Sequence, residues 1–195
     1  MLRSRPLVLL ILVAVVFSSL PRTRAEAPQS VEPFPLSQVR LREGLHRSIQ
    51  QRSARWILEI DPQRVLSLFR LNAQLPTEAE PLGGWESEGH VLRGAFAGHY
   101  LSICAQLYVV TEDPVFKERA EIVIAGLAEC QGALGNSGYL CAYPESAFDY
   151  AEAGEPGRQG ISSVPYYTVH KIMRGLYEAH KYCHNRMAQQ VLLKM

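Results

Sequence analysis

The chain is short of several things that would make a function easy to read. Neither charge sign is in excess: 20 basic residues face 19 acidic ones, for a formal net charge of +1. That balance excludes an electrostatic hold on nucleic acid or on an anionic membrane. Cysteine is sparse, four in 195 residues with no C-x-x-C pair, so this is no disulfide scaffold. No stretch alternates apolar and polar residues as a half-buried strand does. The P-loop, the dinucleotide fingerprint, G-x-S-x-G and H-E-x-x-H are all missing. Composition is otherwise ordinary, 47% hydrophobic and 20% charged, which argues against a disordered chain or a collagen.

What is present starts with a leader. Arg3 and Arg5 precede an apolar run from Leu7 to Phe17, too short to span a bilayer, and Ala25-Glu26-Ala27 has the A-x-A shape of a cleavage site. Residues 1–27 are expected to be a signal peptide, with an uncleaved anchor as the alternative, and the product to be secreted or periplasmic. Removing four Arg and one Glu leaves a net charge of −2. No second apolar run has spanning length, so no membrane partner is expected after cleavage.

The rest reads as helices. Residues 28–36 are proline-rich and expected to be extended. Leu41, Leu45, Ile49, Trp56 and Ile60 then lie on one helical face. Asp61-Pro62 and Asp113-Pro114 each offer an N-cap followed by a first-turn proline. Val65, Leu66 and Phe69 form the apolar side of the first of these helices, and Phe116, Ala120, Val123, Leu127 and Cys130 that of the second, which Gly132 and Gly135 end. Residues 72–90 are loop-like, and a long helix is expected from about Leu92 to Val110. A connection over 132–162 shows little helical pattern; loops of that length are often functional. Helices resume from Pro165 to about Tyr182 and from Met187 to Met195, where the chain is expected to stop inside an element. The class is all-α, with a repeated loop–helix–turn–helix unit as in a barrel of hairpins. Cys104 and Cys130 read as buried thiols, and a Cys130–Cys141 bridge stays open.

Few residues stand out as chemistry. On the helix from Leu92, the positions Ala95, Gly98, His99, Ser102 and Gln106 form a small, polar stripe beside the apolar one. Such a stripe lines a cavity or lets helices pack closely, and both readings stay open. Trp85 and Glu86 offer a ring for stacking and a carboxylate. Tyr166 and His170, four apart, share a face and suit a sugar, whose C–H faces stack on rings; a packed aromatic with a core histidine is the alternative. Glycoside hydrolysis needs two flanking groups, which a lone Glu86 does not supply. Glu145 and Asp149 read as solvated loop residues. His180, Cys183 and His184 share ligand-like spacing but lack a fourth partner, so no metal is expected.

Several motifs together resemble one family. Leu75-Pro76-Thr77, Gly83-Gly84-Trp85-Glu86, Leu92-Arg93-Gly94, Gly98-His99-Tyr100-Leu101-Ser102, Gly138-Tyr139-Leu140, Phe148-Asp149 and Val164-Pro165-Tyr166-Tyr167-Thr168-Val169-His170-Lys171-Ile172 with Gly175-Leu176 come in the order of glycoside hydrolase family 127. The resemblance spans residues 34–195, which it marks as the N-terminal part of the catalytic domain. It implies an (α/α)6 barrel of six hairpins, here partial and incomplete, and retaining hydrolysis of β-L-arabinofuranosides. It further implies a thiolate nucleophile held in a zinc site and a glutamate acid/base. None of the four cysteines sits in such a motif, so no catalytic residue, metal or cofactor is carried over to this chain; zinc belongs to full-length relatives. By resemblance His170, then His99, are the first residues expected to touch sugar, with Trp85, Glu86 and Tyr166 beside them. One departure is that Ala95 stands where many relatives have the histidine of the run R-G-H-x-x-G-H-Y-L-S. The expected protein is therefore a truncated relative, inactive alone. Its ligand would be an arabinose-containing glycan, and a second polypeptide would complete the barrel. The alternative is an exported, non-catalytic helical module that binds glycan or docks on a partner.

Overall fold

Two of the helices begin where an aspartate stands before a proline. In the computed structural model, Asp61 Oδ1 accepts from the Gln63 amide at 2.9 Å and Asp113 Oδ1 from the Val115 amide at 3.1 Å, with Pro62 and Pro114 in the first turns. Each aspartate satisfies one amide that the helix itself leaves unpaired. The structure describes residues 31–135, 137–154 and 164–195, so the expected signal peptide lies outside the described residues. Residues 31–33 are the described part of an N-terminal unit and are exposed outside any helix. A second unit runs from Phe34 to Met195.

In that unit a 3-10 turn at Leu36–Gln38 precedes seven α-helices among the described residues: α1 (Leu45–Glu59), α2 (Pro62–Asn72), α3 (Ala95–Thr111), α4 (Pro114–Ala133), α5 (Ser146–Glu152), α6 (Pro165–Cys183) and α7 (Arg186–Lys194). No strand occurs among the described residues beyond an isolated bridge between Gly83 and Glu86, so the fold is all-α. None of the described helices is long and apolar enough to cross a membrane.

The centre is the contact between α3 and α6, the most extensive helix pair. Glycine makes it possible. A Cβ on Gly98 would overlap the Lys171 carbonyl and stand 2.7 Å from the Ile172 nitrogen; one on Gly175 would overlap the Gly98 carbonyl and lie 2.8 Å from Gly98 Cα. Backbone thus meets backbone, and no larger residue fits at either position without separating the helices. Further along the same interface Glu178 is buried, only 2% exposed, and accepts from Gln106 Nε2 at 2.9 Å and from Arg174 Nε at 2.6 Å. Around this pair α4 and α2 pack the expected faces: Phe116, Ala120, Val123, Leu127 and Cys130 are buried, as are Val65, Leu66 and Phe69.

Two expectations need correction, and one open alternative is decided. The helix anticipated from Leu41 starts at Leu45, and Leu45, Ile49 and Trp56 remain exposed. It reaches the core through its last turns instead, by Ala54, Ile57, Leu58 and Ile60. The connection over 132–162 contains α5, whose seven residues are too few to show a periodic stripe. Part of that connection is also core: Leu140, Cys141, Ala142 and Tyr143 are buried. The strap they form is tied from several directions. Asn72 Nδ2 donates to the Cys141 carbonyl (3.2 Å), Arg93 Nε to that of Ala142 (2.9 Å), and the Tyr143 hydroxyl to that of Pro165 (3.0 Å). Finally, all four cysteines are buried free thiols, so the Cys130–Cys141 bridge is not made.

The glycine contact can be tested directly. Gly98→Ala should destabilise the fold by about 3 kcal/mol, since overpacking against backbone cannot be relieved by a rotamer change. Gly132→Ala, where a Cβ meets nothing within 4 Å in α4, should instead be neutral or gain about 0.5 kcal/mol. Urea unfolding followed by circular dichroism reads both; equal stability of the two variants would refute the crossing as described.

Candidate functional site

The site is built by the loop leading into α3. Gly83 (φ +81°) and Gly84 (φ +59°) form a turn in which the Glu86 amide donates to the Gly83 carbonyl at 3.0 Å. Left-handed φ values at two successive positions favour glycine and turn Trp85 outward, where it is 73% exposed. The loop ends at Gly94, the N-cap of α3, at φ +89°; a Cβ there would stand 2.8 Å from Ala142 Cβ. Conformation and space therefore both demand glycine, and a glycine has no side chain with which to cap a helix.

Glu86 supplies the cap from the loop. Its Oε2 accepts from the Gly94 amide at 2.6 Å and its Oε1 from the Phe96 amide at 2.7 Å. A carboxylate suits the positive end of a helix dipole. Burial pushes this carboxyl above its ordinary value, while the two amide hydrogen bonds pull the other way. Arg93, buried behind the loop, lies with its guanidinium carbon 5.5 Å from the Tyr143 ring centroid and so fastens the loop to the strap.

Between this loop, the end of α1 and the starts of α3 and α6 lies an open cleft of about 430 Å³. Its walls are aromatic: Trp56, Trp85, Phe96 and Tyr167, with Trp56 and Phe96 edge to face at 6.1 Å. Its titratable polar groups include Glu86, whose two oxygens each accept a backbone amide, and His99, beside the hydroxyl of Tyr167 and the indole N–H groups of the two tryptophans. Burial first, and the positive charge of Lys171 second, hold the His99 imidazole below its usual range. The neutral ring offers one donor and one acceptor nitrogen. The Lys171 ammonium itself sits 4.7 Å from the centroid of Tyr167.

The structure thus gathers Trp85, Glu86 and His99 on one cleft. Tyr166 is elsewhere: it lines a second groove with Glu145, Asp149 and Glu152, donates its hydroxyl to Glu152 at 2.6 Å and packs edge to face on Phe148 at 4.9 Å. His170 stands exposed one turn further along α6 and lines neither hollow. Sequence reasoning missed Trp56, Phe96 and Tyr167 as cleft residues. Tyr167 was available as the neighbour of Tyr166, but one helical step of about 100° turns it to a different side. The small-residue stripe divides between its two readings: Gly98 serves close packing, while Ala95 and His99 face the cleft. Ala95, buried beside His99, forms part of the cleft wall.

Among the described residues no three His, Cys, Asp or Glu side chains gather to hold an ion. Burial pushes the thiols of Cys104 and Cys141 up to about 12 and those of Cys130 and Cys183 up to about 11, so at neutral pH they are protonated. These four thiols do not gather with one another or with His, Asp or Glu into a zinc ligand set among the described residues. His184 is exposed and caps the end of α6 at φ +55°, while Cys183 beside it faces the core.

Residues 38–195 match the family model described as Beta-L-arabinofuranosidase, GH127 catalytic domain. No curated protein matches the chain.

Two-dimensional NMR of the imidazoles should find His99 titrating below the free-histidine range. Replacing Lys171 by Met should raise that value by removing the nearby cation, without abolishing the downward shift that burial alone maintains. A His99 titration unchanged by Lys171→Met would remove the charge from the account of this cleft.

Proposed function

The chain belongs to the GH127 catalytic-domain family, and from that premise we propose that the cleft beside α3 binds an arabinofuranose-containing glycan. The observation that carries this reading is the pairing of stacking rings with a hydrogen-bonding imidazole on one cleft. Trp56, Trp85, Phe96 and Tyr167 offer faces to the apolar side of a sugar, and His99 reaches a hydroxyl. Trp85 is the stacking platform and His99 the polar contact. Tyr166 and His170, on other surfaces of α6, are outside this cleft; in this reading they do not touch the same sugar ring.

Hydrolysis by these residues alone is not part of the reading. The one carboxylate in the cleft accepts two backbone hydrogen bonds, and the four thiols are buried and protonated. A retaining mechanism needs an ionised nucleophile and a proton donor that is free to move its proton.

A second reading rests on a separate observation. Leu45 and Ile49 on α1, Met173 and Tyr177 on α6, and Leu193 on α7 are exposed large apolar side chains. A further helical polypeptide seated on these faces would cover them, as the stacked hairpins of a barrel cover one another.

Calorimetry and turnover assays on residues 28–195 separate these readings. An aryl β-L-arabinofuranoside should bind but not be cleaved, with or without added zinc. Trp85→Ala should weaken binding by about tenfold, equivalent to roughly 1.4 kcal/mol. His99→Ala should do the same, and His170→Ala should leave binding unchanged. Cleavage by this chain would overturn the non-catalytic reading, and binding unaffected by Trp85→Ala would overturn the placement of the sugar.

A further inference from the structure

We propose that Glu86 is the positioning residue of the cleft: its carboxylate couples the loop that carries Trp85 to the helix that carries His99. This role rests on the reading of the cleft as a sugar site and assigns Glu86 no contact with the reacting atoms.

Gly94 sets the constraint. Helices are usually capped by a Ser, Thr, Asp or Asn at the N-cap itself. Here that position has φ +89° and a Cβ would crowd Ala142, so glycine occupies it and the local cap is excluded. The amides of Gly94 and Phe96 take their acceptors from Glu86, eight and ten residues earlier in the chain. The cap is therefore made only when the loop is in place. Trp85 is the residue next to Glu86, and its backbone is fixed by the same Gly83–Glu86 turn. His99 is one turn along α3 from Ala95, within the helix start that Glu86 holds. Both residues line the one cleft. Satisfying the helix end and setting the two sugar contacts against each other are thus the same event.

A local cap and a coupling cap predict different behaviour. Asp113 caps α4 with its own side chain, and neither it nor its partner Val115 lines the cleft. Asp113→Ala removes a cap without touching the loop and is the control for a purely structural effect. The chain labelled with 5-fluorotryptophan gives one fluorine resonance each for Trp56 and Trp85, assigned by loss of one line in Trp85→Phe. Glu86→Ala should move the Trp85 line towards that of a freely rotating, solvated indole and weaken binding of an aryl β-L-arabinofuranoside by about tenfold. Glu86→Gln, which keeps one acceptor oxygen and the side-chain shape, should fall between Ala and the native chain in both readouts. Asp113→Ala should change neither. An unmoved Trp85 line in Glu86→Ala, or the same shift in Asp113→Ala, would overturn the coupling. Absence of arabinofuranoside binding by the native chain would overturn the sugar reading instead, and the Trp85 line would still decide the role of Glu86.

Discussion

The contact on which the molecule depends is the approach of two backbones at Gly98 and Gly175. With side chains at either position, α3 and α6 would stand further apart, and everything mounted on them would shift. The cleft lies at the beginning of both helices. Its His99 comes from one and its Tyr167 from the other, so the width between them follows from the glycine contact. Close packing is usually argued as stability. Here it also acts as a ruler, because a helix pair with no side chains between it has little freedom to adjust its spacing.

On that frame the loop from Leu82 to Gly94 adds the variable wall. It is held at three levels: by its own glycine turn, by the Glu86 carboxylate on the α3 amides, and by Arg93 against the strap. Each attachment uses a backbone group that would otherwise lack a partner. The result is an exposed tryptophan on a loop that is nonetheless well anchored, which suits a platform whose ring must be open to ligand while its position is fixed.

Much of the fold was legible because its signals are local. Asp61-Pro62 and Asp113-Pro114 cap and start helices whatever surrounds them, and the stripe from Phe116 to Cys130 is buried as its spacing requires. The apolar stripe on α1 was misleading for a physical reason: periodicity shows which residues share a face, not whether anything packs on that face. The buried strap at Leu140–Tyr143 was hidden because its hydrogen-bond partners, Asn72, Arg93 and Pro165, are distant in sequence. The candidate site was half legible. Trp85, Glu86 and His99 share one cleft, but the role of Glu86 depends on Gly94 adopting a left-handed conformation against Ala142, which no spacing reveals. Tyr167 lines that cleft and Tyr166 the second groove, and only the angular position around α6 distinguishes them. His170 carries the family motif yet lies on a different surface.

The strap has one more consequence. Because α2, the cleft loop and the start of α6 all bond to the same few carbonyls and one tyrosine, none of these segments can open without loosening the others. The hollow is thus tied to contacts between segments distant in sequence, whose formation is coupled. A molecule seated in it is held by the cohesion of the entire helical body rather than by a hinged flap, and its occupancy is felt as resistance to melting throughout the chain.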